Sequence, residues 1–172
     1  MKVIWLVHVS FRIETNDQVL LIDPWLSGNP MLAESQYDAA LNGATHIVLT
    51  HTHFDHVVDV LPLAKARNIP VVGQYDLMGY WGESEGIATI GFNKGGTVDL
   101  GGAKLAMVPA SHSSTFTTED GLRASGSEVG YMLMSEGKTG YISGDTGIMA
   151  DMDWTRDYYK PEVGIRRAGG HS

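Results

Sequence analysis

Residues 50–56, T-H-T-H-F-D-H, set three histidines and an aspartate within six positions, directly after the apolar run Ile47-Val48-Leu49. Such a run reads as a strand, and the polar cluster as the loop it feeds. Imidazole nitrogen and carboxylate oxygen are ligands for zinc and similar divalent ions. In an extended segment, side chains two apart point the same way. His51 and His53 can therefore pinch one ion, while Asp55 and His56, past the bend, reach a second. The competing reading is a polar loop with chance histidines, and the density and order of ligand types weigh against it.

The surroundings suit such a loop. Downstream, Asp59 is placed to cap a helix running to about Arg67, with Pro62 in its first turn. Residues 70–74 read as a strand and 75–83 as a helix, so this part alternates in the β-α-β manner. Upstream, residues 2–9 are nearly continuous apolar sequence and read as a strand buried on both faces. Residues 10–15 and 18–22 flank Asn16-Asp17, a two-residue hairpin turn, and Asp23-Pro24 stops the third strand. Residues 36–42 suggest a short helix. His8 reads as a hydrogen-bonded core histidine or an outer partner of the site, and His46 as structural.

From Ile87 the texture returns to strands and turns, with a second meander over 97–100, 104–109, 128–134 and 138–143. Met107, Met132 and Met134 fall on these strands as core residues. Two of the strands end in further chemistry: His112 follows Pro109-Ala110-Ser111, and Asp145 sits in Ser143-Gly144-Asp145-Thr146. Alone each is weak. With the first loop they supply a third imidazole for one ion and a carboxylate able to bridge two.

The length, 172 residues, suits one domain over 1–172 with a core burying about 70% of the unfolded surface. The 21 glycines point to many turns. A net charge of -8 argues against nucleic acid as partner, because backbone phosphate binding needs clustered Lys and Arg. The absence of cysteine fits a reducing cytoplasm. The opening residues are too short for a signal-peptide core, and no stretch approaches a membrane span.

The pattern H-x-H-x-D-H with a later histidine and a later aspartate resembles the metallo-β-lactamase fold superfamily. Within it the chain looks most like the L-ascorbate-6-phosphate lactonase-like metal-dependent hydrolases. The carrying pieces are Ile22-Asp23-Pro24, residues 26–30, residues 50–56, residues 108–114 and Gly144-Asp145-Thr146-Gly147. The resemblance implies an αββα sandwich of two mixed sheets with outer helices, in the α/β (α+β) class. It implies His51, His53 and His112 on a first metal, Asp55 and His56 on a second, Asp145 between the two, and Asp23 bracing the histidine loop. The metals would be zinc or manganese. The activity would be hydrolysis of a small ester, lactone or phosphoester by a metal-activated water, with Asp55 orienting that water or taking its proton.

Two departures stand out. Val7-His8-Val9-Ser10 replaces the subfamily's Gly-His-Ser or Gly-His-Ala. The chain also stops at Ser172, where family members continue and supply a final histidine to the second metal. The expectation is a sandwich incomplete at its C-terminal end, with a weak or empty second site for which His171 is the substitute ligand on offer. An uncovered sheet edge would then favour a homo-oligomer. Two alternatives follow: a catalytically weak metal-binding remnant acting through oligomerisation or partners, and a phosphodiesterase or nuclease of the same superfamily, for which Arg166-Arg167 is thin support.

Overall fold

Side chains of the central strands alternate between two apolar environments, and this alternation builds the layers. The structure, a computed structural model, describes residues 1–118 and 120–166. In chain order come β1 (Lys2–Trp5), β2 (Phe11–Thr15), β3 (Gln18–Ile22), α1 (Tyr37–Leu41), β4 (His46–Val48), α2 (Phe54–Val57), α3 (Val60–Arg67), β5 (Val71–Gln74), α4 (Tyr75–Glu85) and β6 (Thr89–Phe92). These six strands form one sheet in sequence order, antiparallel from β1 to β3 and parallel from β3 to β6. There follow β7 (Thr97–Asp99), β8 (Lys104–Pro109), β9 (Thr115–Thr118), β10 (Gly121–Ala124), β11 (Val129–Ser135), β12 (Lys138–Ile142), α5 (Asp151–Tyr159) and β13 (Val163–Ile165). The second sheet has the order β13-β12-β11-β8-β7, antiparallel except for β12 with β13, while β9 and β10 form a separate hairpin.

Leu20, Ile22, Val48 and Val72 meet Leu105, Met107, Tyr131 and Leu133 in the core between the sheets. Their strand neighbours Leu21, Ile47 and Val71 point to the opposite face, where Val60 and Ala64 of α3 and Leu77, Met78 and Trp81 of α4 cover them. On the far side, Ala106, Val108 and Met132 pack with Tyr159 of α5. The layers run helix, sheet, sheet, helix, the mixed sandwich that the sequence led us to expect.

Several elements differ from expectation. The first strand ends at Trp5 and is not buried on both faces: Val3 is 40% and Trp5 59% exposed. It is the edge of the sheet, paired with β2 alone, and of its side chains only Ile4 packs against the core. Asp59 stands at the N-cap of α3 but caps nothing. Its carboxylate instead accepts hydrogen bonds from Leu26 N at 2.6 Å, Ser27 N at 2.7 Å and the Ser27 hydroxyl. The loop offers it three donors, whereas the third position of α3 is Pro62, which has no N–H for a cap to bind. The β9–β10 hairpin, α5 and β13 were not foreseen; β10 has no buried residue, and α5 faces the second sheet with little beyond Thr155 and Tyr159, so the apolar signal of each is thin.

At one end the sheets are laced together. Val129 N donates to Thr50 O at 3.1 Å, and the hydroxyl of fully buried Tyr131 donates to Leu49 O at 2.7 Å. Left unbonded, that hydroxyl would cost about 1–3 kcal/mol. This laced end carries the ligand-type residues.

Candidate metal centre

Strands β3 and β4 are parallel, and β8 and β12 share a direction because both are antiparallel to β11. Their C-terminal ends deliver Asp23, residues 50–53, His112 and Asp145, while α2 adds Asp55 and His56. The fold thus brings together every site residue singled out in the sequence except His171, which lies outside the described residues.

His51, His53 and His112 each bring a ring nitrogen within 4.8 Å of the other two. His51 Nε2 and His53 Nδ1 are 3.1 Å apart. Beside them, His56 Nε2 is buried and has no hydrogen-bond partner among the described residues. It lies 3.5 Å from Asp145 Oδ1 and 3.7 Å from Asp55 Oδ2. Asp145 Oδ2 in turn lies 3.8 Å from His112 Nε2, so its two oxygens face the two clusters.

The tautomers follow from the surroundings. Asp23 is 1% exposed and sits at φ 43°, which turns its carboxylate back under the loop. Its Oδ1 accepts from Thr50 N at 2.8 Å; its Oδ2 accepts from the Thr50 hydroxyl at 2.6 Å and from His56 Nδ1 at 2.8 Å. The Thr50 hydroxyl, its proton spent on Asp23, accepts from His51 Nδ1 at 3.1 Å. Both His51 and His56 therefore keep Nδ1–H and turn Nε2 toward the centre. Asp23, His51 and His56 also form a group within 4.8 Å, but both Asp23 oxygens are committed to hydrogen bonds, which makes it a brace.

Burial, then the neighbouring His56 and His53, push His51 down to about 2, so it is a neutral imidazole at ordinary pH. His53 is lowered by burial and by His112. For His56 burial works downward, but Asp23 and Asp145 outweigh it and lift the group to about 9. For Asp55 burial works upward and is outweighed by His56 and His8, so the carboxylate stays ionised.

These residues fit divalent metal. Ligand atoms around a tetrahedral ion with bonds of about 2.1 Å are about 3.4 Å apart, close to the 3.1 Å and 3.5 Å separations here. The buried His56 Nε2 makes no close hydrogen bond among the described residues and faces two carboxylates at 3.5 and 3.7 Å, the spacing of ligands that share an ion.

Other side chains join the centre, of which the sequence had offered only His8 as an outer partner. The Ser113 hydroxyl is 3.2 Å from His53 Nε2. Thr52, Ser114 and Ser125 form a buried knot of hydroxyls that ties the first histidine loop to the His112 loop. His8 Nε2 lies 2.8 Å from Asp55 Oδ2, which makes it an outer partner of the site, half-exposed rather than in the core.

Residues 18–165 match the family model described as a beta-lactamase superfamily domain. The chain is 72% identical over 171 residues to a UPF0173 metal-dependent hydrolase of Ruegeria pomeroyi, covering 99% of this chain and 74% of that protein. It is 70% identical, with the same coverage, to a UPF0173 metal-dependent hydrolase of another Ruegeria species. Among solved structures, a metallo hydrolase from the archaeon Ignicoccus hospitalis superposes with a TM-score of 0.83 at 28% identity, covering 98% of this chain and 71% of that one. A possible metal-dependent hydrolase from Veillonella parvula superposes at 0.71 and 21% identity over 91% of this chain and 67% of that one, a likeness of fold.

Proposed function

The chain belongs to the beta-lactamase superfamily, within it to the UPF0173 metal-dependent hydrolases, and on that premise we propose that it is itself a hydrolase of a small ester, lactone or phosphoester acting through two divalent ions, zinc or manganese. The observation that carries the proposal is the buried His56 Nε2, aimed between Asp55 and Asp145 without a hydrogen-bond partner of its own among the described residues.

His51, His53 and His112 would hold one ion, and Asp55 and His56 the other, with Asp145 between. Metal bound there supplies Lewis acidity toward water and toward the carbonyl or phosphoryl oxygen under attack. The chain supplies the rest. Asp23 holds Nδ1–H of His56 directly and that of His51 through Thr50, so both rings turn Nε2 toward the centre, and on His56 an ion would take the place of a proton. Asp55, ionised and half-buried, is the group placed to orient a water and accept its proton. A cavity of about 430 Å³ reaches His56 and Asp145 past Trp5, Phe11 and Met31, room suited to a small molecule. The lactone is favoured within the substrate class by the lactonase-like motifs quoted above.

The test is metal content by elemental analysis together with turnover of a model lactone and a phosphodiester after zinc or manganese loading. Close to two ions per chain with lactone turnover supports the reading. No retained metal and no turnover would overturn it, and phosphodiester cleavage alone would move it to the nuclease alternative.

A further inference from the structure

We propose that His8 is a positioning residue, holding the Asp55 carboxylate in the one orientation that turns an oxygen toward His56. This rests on the hydrolase reading above. An ionised carboxylate can only accept, so His8 Nε2 donates to Asp55 Oδ2 across 2.8 Å. That same oxygen is 3.7 Å from His56 Nε2. His8 thus holds one side of the oxygen and leaves the other facing the buried nitrogen.

The hydrogen bond to Asp55 occupies His8 Nε2, so the ring nitrogen nearest the centre is spent on holding the carboxylate.

The backbone is bent to aim this ring. Val7 and His8 sit consecutively at φ 74° and 52°, a conformation that is an outlier for a β-branched residue. The turn is closed by Leu6 N donating to Ser10 O at 2.9 Å and Ser10 N to Val7 O at 3.1 Å. Trp5 Nε1 donates to His8 O at 2.9 Å, and the imidazole stands edge-on to Trp25, with ring centres 5.1 Å apart. The Ser10 hydroxyl donates to Asp23 O at 2.7 Å and accepts from Trp25 N at 2.9 Å, tying the turn to the brace of the histidine loop. Strain of this kind persists only where the surroundings over-determine it, and here the surroundings fix one nitrogen against one carboxylate oxygen. A half-exposed side chain does not need an imidazole merely to fill space.

The experiment compares the full chain with His8→Ala and His8→Gln, the amide of the latter keeping a donor at similar reach. Zinc affinity is measured by competition with a chromophoric chelator, folding by thermal melting, and kcat and KM on the model lactone. The expected result for His8→Ala is zinc binding weakened about tenfold to a hundredfold. Its kcat should fall with KM nearly unchanged, its melting should match wild type, and His8→Gln should recover most of the loss. An active wild type beside a His8→Ala variant with wild-type zinc affinity and kcat overturns the role of His8 alone, as does a Gln variant no better than Ala. A wild type that takes up no zinc and turns over nothing overturns the hydrolase reading and this inference together.

Discussion

Asp23 and His56 form a buried pair, with Oδ2 of Asp23 accepting from Nδ1 of His56 at 2.8 Å while the two residues are 1% and 0% exposed. The same carboxylate holds Thr50 and, through it, His51, so one side chain orients two imidazoles from beneath. Asp23→Ala would leave His56 and Thr50 buried without their acceptor. Breaking a buried pair of this kind costs about 3–5 kcal/mol. Denaturant unfolding of the metal-free protein should show that loss, with Asp23→Asn losing less because one acceptor oxygen remains. A change below 1 kcal/mol would mean that Asp23 is no brace.

Asp55 is half-buried at the surface of the site and braces no loop, so its removal should be felt in chemistry rather than folding. Asp55→Ala should lower lactone turnover by about 10²–10⁴, the usual worth of a positioned proton acceptor. Its melting temperature in the metal-free form should stay close to wild type. Undiminished turnover in metal-loaded Asp55→Ala would remove the residue from the mechanism.

The histidines predict opposite slopes of metal-free stability on either side of pH 6.5. His56, raised to about 9, stabilises fully below its ordinary value of 6.5, and that contribution disappears as pH climbs through 9. His51, lowered to about 2, acts the other way. The unfolded chain takes up a proton there below 6.5 and the folded chain does not, so stability falls as pH drops below 6.5. Metal-free unfolding followed from pH 5 to 9.5 should therefore peak near pH 6.5. Zinc affinity should rise with pH up to about 9, because the ion must displace the His56 proton; calorimetry in buffers of different ionisation heat would register that release, and its absence would mean that His56 does not ligate.

Gly144 lies beneath Thr50 at φ 58°, and a Cβ there would fall 2.8 Å from Thr50 Cβ and 3.0 Å from Val129 O. Gly144→Ala forces a left-handed alanine against backbone that laces the sheets together. The two penalties, about 1–2 kcal/mol for the conformation and about 1–3 kcal/mol for overpacking, should lower thermal stability clearly. They should also weaken zinc binding, since Thr50 and Asp145 shift together. A variant that melts like wild type would show that the loop yields freely.

The sequence determined the ligand types and the scaffold that carries them. Residues 50–56 place imidazoles and a carboxylate at spacings one loop can converge, and the alternating apolar runs around Leu21, Ile47 and Val71 commit the neighbouring strands to a sheet covered on both faces. Periodicity is local, so it is legible in one dimension. What joins residues far apart in the chain was not. Asp59 had the position of a helix cap, yet its carboxylate went to Leu26 and Ser27, because only packing decides which donors a buried charge meets. Residues 2–9 were apolar enough for a central strand, but membership at the sheet edge left Val3 and Trp5 in solvent. The pairing of His8 with Asp55 depends on two positive φ angles, and the knot of Thr52, Ser114 and Ser125 on the meeting of two sheets. Side-chain chemistry is written in the chain, whereas the partner each group finds is set by the tertiary structure, since a hydrogen bond depends on distances of a few tenths of an ångström between residues that sequence separates by dozens of positions.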